Sequence, residues 1–464
     1  HQYARIEIFK NHFYIKEYDE NVYEIIYKLK KYAESGIKNY THSVDLWMKN
    51  SGLIIDCDEK KNALRNLFKN SKVAFIYGAA GTGKSTMINY ISSLFKDKQK
   101  IFLANTNPAV ENLRRKVTAE HAEFVTITKF LSKDVSNDCD ILCLDECSTI
   151  SNRDMVRVLQ RAQCKLLVLV GDIYQIESIL FGNWFNIAYK VMPKDSVAEL
   201  TRPHRTTVQG LIEVWNKVRE ITEDRLEFIT RNGLSSTLDE SIFSRTEEDE
   251  IVLCLNYDGI YGINNINKFL QSNNVNPSIN WGVLSYKVGD PVLFNESNRF
   301  APLVYNNLKG KILQIEEEED CIYFTIEVYT VLNELDVIGF DLELKESVTD
   351  ETSVIRFKVG RGGDGNDDND NVENVVPFQV AYAISIHKAQ GLEYESVKVV
   401  ITSEIEEMVS HNIFYTAITR AKSKLKIYWS PETEKRILEN MKVQFNDKDY
   451  QLFKAKYKEA LLKS

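Results

Sequence analysis

At 464 residues the chain exceeds what one hydrophobic core usually holds, so roughly two to four domains are expected. Its 44% apolar and 27% charged residues are those of an ordinary soluble globular protein, and neither a membrane-length apolar run nor a signal peptide is present. A net charge of −9 excludes a chain that is basic throughout, yet it leaves room for nucleic-acid binding, which needs a local basic groove rather than a basic total.

The opening at His1 rather than Met sets the expectation of a fragment or processed form of something longer. In residues 21–33, Val22, Ile25, Ile26 and Leu29 recur at helical spacing, as in a helix that braces a lobe or leads in from an upstream domain. The apolar run Val73-Ala74-Phe75-Ile76-Tyr77 reads as a buried strand, and Ser85 onward reads as a helix. Between them Gly78-Ala79-Ala80-Gly81-Thr82-Gly83-Lys84-Ser85 is a complete G-x-x-x-x-G-K-[ST] loop. Its glycines let backbone N–H groups of Gly78, Ala80, Gly81, Thr82 and Gly83 turn inward as an anion nest, and the helix N-terminus at Ser85 and Thr86 adds positive potential. Lys84 is expected to reach the β- and γ-phosphates and Ser85 to hold Mg²⁺, so the chain binds a nucleoside triphosphate.

Further along, Ile141-Leu142-Cys143-Leu144 is an apolar strand ending in Asp145-Glu146. At the carboxyl end of a parallel strand, Asp145 is placed to hold Mg²⁺ and Glu146 to orient and deprotonate the attacking water. The next strand, 165–170, ends in Gly171-Asp172-Ile173-Tyr174-Gln175, where Gln175 is a candidate sensor of the γ-phosphate and its water. Acid is concentrated in 316–320 and 364–370, both read as solvated turns, and Cys321 to Val328 alternates as short strands do. The seven cysteines lack a C-x-x-C pair and read as reduced core thiols of a cytoplasmic protein.

With these residues assembled, the chain resembles a superfamily 1 helicase from about Leu53 to about Pro431. Motif Ia is carried by Ala104-Asn105-Thr106-Asn107-Pro108-Ala109-Val110, motif II by Asp145-Glu146-Cys147-Ser148 and motif III by Gly171-Asp172 with Gln175. Leu200 to Thr206 is similar to motif IV, Ala383 to Glu393 to motif V and Tyr415 to Ala421 to motif VI. Within the superfamily, Val288-Gly289-Asp290-Pro291-Val292 followed by Asn306-Asn307-Leu308-Lys309-Gly310 resembles the RecD-like branch and its SH3-like β-barrel insertion. The resemblance implies an α/β protein with two RecA-like P-loop NTPase lobes on parallel sheets. The domain boundaries it implies are 1–52 (N-terminal helical segment), 53–207 (first lobe), 208–280 and 375–432 (second lobe), 281–374 (β insertion) and 433–464 (C-terminal helical tail on the second lobe).

The resemblance also assigns roles. Arg205 and Arg420 face the γ-phosphate across an interlobe cleft, neutralising charge on the transferring phosphoryl oxygens, while Gly391 and Glu393 touch the nucleotide and its sugar. ATP and Mg²⁺ are the cofactors it implies. Thr106, Asn107, Thr128, His387 and Lys388 are the expected contacts to single-stranded DNA, with Phe181 and Trp184 as aromatic candidates for base stacking. Two departures stand out. Lys60 occupies the place of the family's adenine-reading glutamine, and residues 118–140 leave little room for a duplex-splitting insertion, which favours translocation over unwinding. The expected function is an ATP-dependent motor on single-stranded DNA, 5′ to 3′ by resemblance to the RecD-like branch. The alternatives are an RNA-directed helicase of the nonsense-decay type and a nucleotide-gated ATPase subunit of a repair or defence assembly.

Overall fold

The computed structural model describes residues 5–132, 137–176, 181–202, 206–295, 299–301, 303–347, 349–361, 374–442 and 447–462. The chain divides into two compact units. One holds the residues up to Thr222, Ser410–Thr419 and Met441 onward; the other holds Glu223–Val409 and Arg420–Asn440.

The first unit is built on a parallel six-stranded sheet. From edge to edge its strands are Ala122–Thr126, Lys100–Ala104, Asp138–Leu144, Gln163–Gly171, Val73–Gly78 and Val197–Leu200. Side chains alternate across a strand, so Val73, Phe75 and Tyr77 feed one core while Ala74 and Ile76 feed another. Both faces are dry, which is why these strands read as continuous apolar runs. Helix Lys16–Ala33 covers the first face with Val22, Ile25, Ile26 and Leu29. Helices Tyr40–Asn50, Asp58–Asn66 and Lys84–Leu94 cover the second.

Two boundaries differ from expectation. Helix Gln209–Glu220 belongs to the first unit, not the second, because Trp215 Nε1 donates to Ile418 O (3.0 Å) and His411 Nε2 lies 2.9 Å from Val218 O. The C-terminal helix Asp447–Leu462 also joins the first unit. Phe453 enters that core, Tyr457 stacks on Tyr23 with centroids 4.4 Å apart, and Lys456 and the Tyr457 hydroxyl both bond Asp19.

The second unit has a parallel five-stranded sheet in the order Ala383–Ser385, Glu250–Cys254, Tyr394–Val400, Ala421–Tyr428 and Ser235–Ser236. Between its strands Glu250–Cys254 and Ala383–Ser385 the chain inserts an antiparallel six-stranded sheet, from Pro291–Phe294 to Phe378–Val380. Its last strand, Phe378–Val380, runs past residue 374, where the β insertion was expected to end. Cys321–Val328 buries every second residue, as its alternation foretold. The insertion has its own aromatic core, in which Phe324 meets Phe378 edge-on at 5.0 Å and 88°.

Candidate functional site

All strands of the first sheet leave it at the same edge, and the candidate chemistry collects there. The loop after Val73–Gly78 turns through Gly81 (φ +76°) and Gly83 (φ +86°), a conformation that favours glycine, and feeds helix Lys84–Leu94. A Cβ at Gly83 would also lie 2.6 Å from Lys60 Nζ, so that side chain would have to shift. Lys84 Nζ donates to Gly78 O (2.8 Å) and Ala79 O (3.0 Å), and Thr82 Oγ1 donates to Ala79 O (3.0 Å), so the loop is braced by its own side chains. Lys60 is buried and pairs with Asp56 Oδ2 at 2.6 Å.

Asp145 follows strand Asp138–Leu144, and its Oδ1 accepts from Glu146 N–H at 2.9 Å. Burial pushes its carboxyl up, while the Glu146 amide and the charges of Lys84 and Lys116 pull it down. Glu146 sits at φ +52°, an uncommon place for a non-glycine residue, fixed by Thr149, whose N–H and hydroxyl both donate to Glu146 O at 2.8 Å. On the neighbouring strand end Asp172 is buried. Its Oδ1 accepts from Tyr174 N–H (3.0 Å), and its Oδ2 has no hydrogen-bond partner among the described residues. Burial raises this carboxyl too, opposed first by Lys84 and among the weaker influences by the Gln175 side chain. Sequence reasoning gave Asp172 no role. The structure makes it a second buried acid within the electrostatic reach of Lys84, and sets Gln175 beside it.

Buried acids raised by desolvation, one with an orphaned oxygen, are the donor set a divalent cation suits. Ser85 and Asp145 would hold Mg²⁺, which supplies charge neutralisation at the phosphates when bound. Among the described residues no group of three or more His, Cys, Asp or Glu could hold a metal ion. Cys143 and Cys147 flank Asp145, but burial pushes both thiols well up, so they are packing residues.

The expected strand contacts in this unit share the same edge. Thr106 and Asn107 follow strand Lys100–Ala104, Thr128 follows Ala122–Thr126, and all three are exposed. Thr106 also caps helix Asn107–Lys116 by accepting from Ala109 N–H, which leaves its hydroxyl proton to donate. The aromatic candidates fare differently. Trp184 is wholly buried and donates to Ile150 O (2.9 Å), which removes it as a base-stacking residue. Phe181 already stacks on Tyr18, centroids 4.2 Å apart and 6° from parallel, so one ring face is taken.

In the second unit, the end of motif V meets the arginine of motif VI. Arg420 is buried and its Nη1 donates to Leu392 O (3.2 Å), the carbonyl between Gly391 (φ +78°) and Glu393. His387 is exposed on the turn after Ala383–Ser385, and Lys388 Nζ donates to Gln379 Oε1 (2.9 Å). Arg205 lies outside the described residues.

The chain matches the family model described as AAA domain over residues 57–239 and that described as UvrD-like helicase C-terminal domain over residues 380–428. An uncharacterized protein of Methanocaldococcus jannaschii is 24% identical over 79% of this chain, and the match spans 37% of that protein, little more than a third. The RecBCD enzyme subunit RecD of Buchnera aphidicola subsp. Schizaphis graminum is 23% identical, with 83% of this chain and 78% of that one covered. The ATP-dependent DNA helicase Pif1 of Campylobacter jejuni is 23% identical over 76% of this chain and 88% of its own length. Among solved structures, the Pif1 helicase from Bacteroides in complex with ADP-AlF3 and ssDNA aligns with a TM-score of 0.51 at 16% identity, over 88% of this chain and 98% of that one. That likeness is one of fold: two RecA-like lobes, each on a parallel sheet.

Proposed function

We propose that this chain, which belongs to the RecD-like branch of the superfamily 1 helicases, is an ATP-dependent motor that moves on single-stranded DNA. The observation that carries the reading is the gathering of Lys84, Asp145, Glu146, Asp172 and Gln175 at one edge of one parallel sheet. Lys84 binds the β- and γ-phosphates, and Ser85 and Asp145 are the Mg²⁺ ligands. Glu146 accepts the proton of the attacking water, and Gln175 senses the γ-phosphate. Arg420 supplies positive charge for the phosphoryl oxygens, with Arg205 given the same part by its motif, and Gly391 and Glu393 contact the nucleotide. Thr106, Asn107, Thr128, His387 and Lys388 hold the strand. Related proteins named RecD are subunits of the RecBCD enzyme, and a partner in a repair assembly is part of this proposal. So are 5′-to-3′ travel and a cytoplasmic location, which suits seven free thiols.

The test is steady-state ATP turnover with and without single-stranded DNA, followed by displacement of a block placed at either end of the strand. Stimulation by DNA with directional displacement is expected. Turnover indifferent to every nucleic acid would sink the motor, and stronger stimulation by matched RNA would reassign the track.

A further inference from the structure

The turn that carries Gln175 is held by a helix far away in sequence. Helix His411–Ile418 belongs to the first unit, and it reaches the backbone on both sides of the peptide bond after Gln175. Asn412 Nδ2 donates to Gln175 O at 2.9 Å, and Ile176 N–H donates to Thr416 Oγ1 at 3.1 Å. On its other flank the turn is closed by Asp172, whose carbonyl accepts from Gln175 N–H and whose carboxylate accepts from Tyr174 N–H. The helix is itself immobilised. Thr416 is fully buried, His411 Nε2 sits against Val218 O, and Ile418 O accepts from Trp215 Nε1. Tyr174 packs edge-on against Tyr415 (6.2 Å) and His411 (6.3 Å), with the Arg219 guanidinium 5.8 Å from its centroid.

Two bonds to consecutive backbone groups, on a buried and packed support, are more than packing requires. They fix the peptide plane from which the Gln175 side chain departs, and positioning at this level governs rate. We infer that Thr416 and Asn412 are positioning residues for Gln175, acting through its backbone, and that loss of either lowers turnover without weakening nucleotide binding. The inference rests on the reading of Gln175 as the phosphate sensor. In sequence, Thr416 lies four residues before Arg420.

The test uses basal ATP turnover of the full chain with Thr416→Val, Thr416→Ser, Asn412→Ala, Gln175→Ala and the double change Thr416→Val/Gln175→Ala. Thr416→Val removes the acceptor and keeps the shape, so kcat is expected to fall about tenfold with the KM for ATP unchanged. Thr416→Ser restores it, and the double variant turns over no slower than Gln175→Ala alone. Hydrogen exchange at the Ile176 amide is expected to quicken in Thr416→Val and not in Thr416→Ser. Asn412→Ala cuts only a part-buried bond and repeats the kinetic test should Thr416→Val fold poorly. Additive losses in the double variant, an unchanged kcat in Thr416→Val and Asn412→Ala, or unchanged exchange at Ile176 would each overturn the inference. Wild-type turnover that ignored DNA would sink the motor alone, since the basal-rate comparison would still uphold the support.

Discussion

A glutamate at φ +52° is strained, and such strain persists only where neighbouring bonds over-determine it. Thr149 supplies them at Glu146, through two bonds to its carbonyl. Glu146→Gln keeps the shape and removes the base, so kcat is expected to drop about 10²–10⁴-fold with the KM for ATP little changed, as read by phosphate release. Asp145 and Asp172 give a second, thermodynamic signature. Burial raises both carboxyls above the ordinary 3.8, so over the window between that value and their folded values the native state holds protons more tightly than the unfolded chain. Stability of the nucleotide-free protein therefore falls as pH rises through the window, and Mg²⁺ with ATP, which favours the carboxylate form, flattens that fall. Asp145→Asn relieves the buried charge, and its nucleotide-free melting temperature is expected to rise by about 1–3 °C while turnover is lost. A lower melting temperature would mean that Asp145 is paired better than its burial implies. The placement of Lys84, Asp145 and Glu146 just beyond strand ends was legible in the sequence, because each follows a continuous apolar run. Thr416 was not, because its partner, Ile176, lies 240 residues away and no local pattern records that distance.

Elements were legible where a period exposed them, and less so where only their partners mattered. The spacing of Val22, Ile25, Ile26 and Leu29 gave helix Lys16–Ala33, and alternation gave strand Cys321–Val328. The C-terminal helix Asp447–Leu462 shows the limit. Apolar spacing tells which face is buried but not against what, and Phe453 and Tyr457 pack on the first unit where the second was expected. Helix Gln209–Glu220 changed sides for the same reason, through one indole bond to Ile418 O. The inserted antiparallel sheet, by contrast, buries its own aromatic cluster around Phe294, Phe324, Phe357 and Phe378. Phe324 is fully buried, so Phe324→Ala is expected to destabilise the insertion by about 3–5 kcal/mol in urea unfolding. Since that core is its own, the loss should appear as a separate early transition with basal ATP turnover retained. A single shifted transition with turnover lost would instead make the insertion part of one cooperative core.

For the whole molecule the question is how a chain of net charge −9 holds a polyanion. Long-range attraction does not serve it, because charges beyond a Debye length are screened and the total has the wrong sign. The candidate grips are short-range donors at strand ends: Thr106, Asn107 and Thr128 in the first unit, and His387 and Lys388 in the second. Hydroxyls and amides bond phosphate oxygens without displacing condensed counterions, and Lys388 is the one lysine or arginine among these five. Each phosphate neutralised on a single strand contributes about −0.7 to the slope of log affinity against log salt, so a slope of about −1 is expected. A conventional basic groove with six neutralised phosphates would give about −4. Fluorescence anisotropy of a labelled oligonucleotide across a salt series separates the two. Lys388→Ala should flatten the slope further, whereas Thr128→Ala should weaken binding at every salt concentration and leave the slope alone. A steep slope untouched by Lys388→Ala would place the strand on lysines and arginines elsewhere and free the sheet-edge hydroxyls of this role.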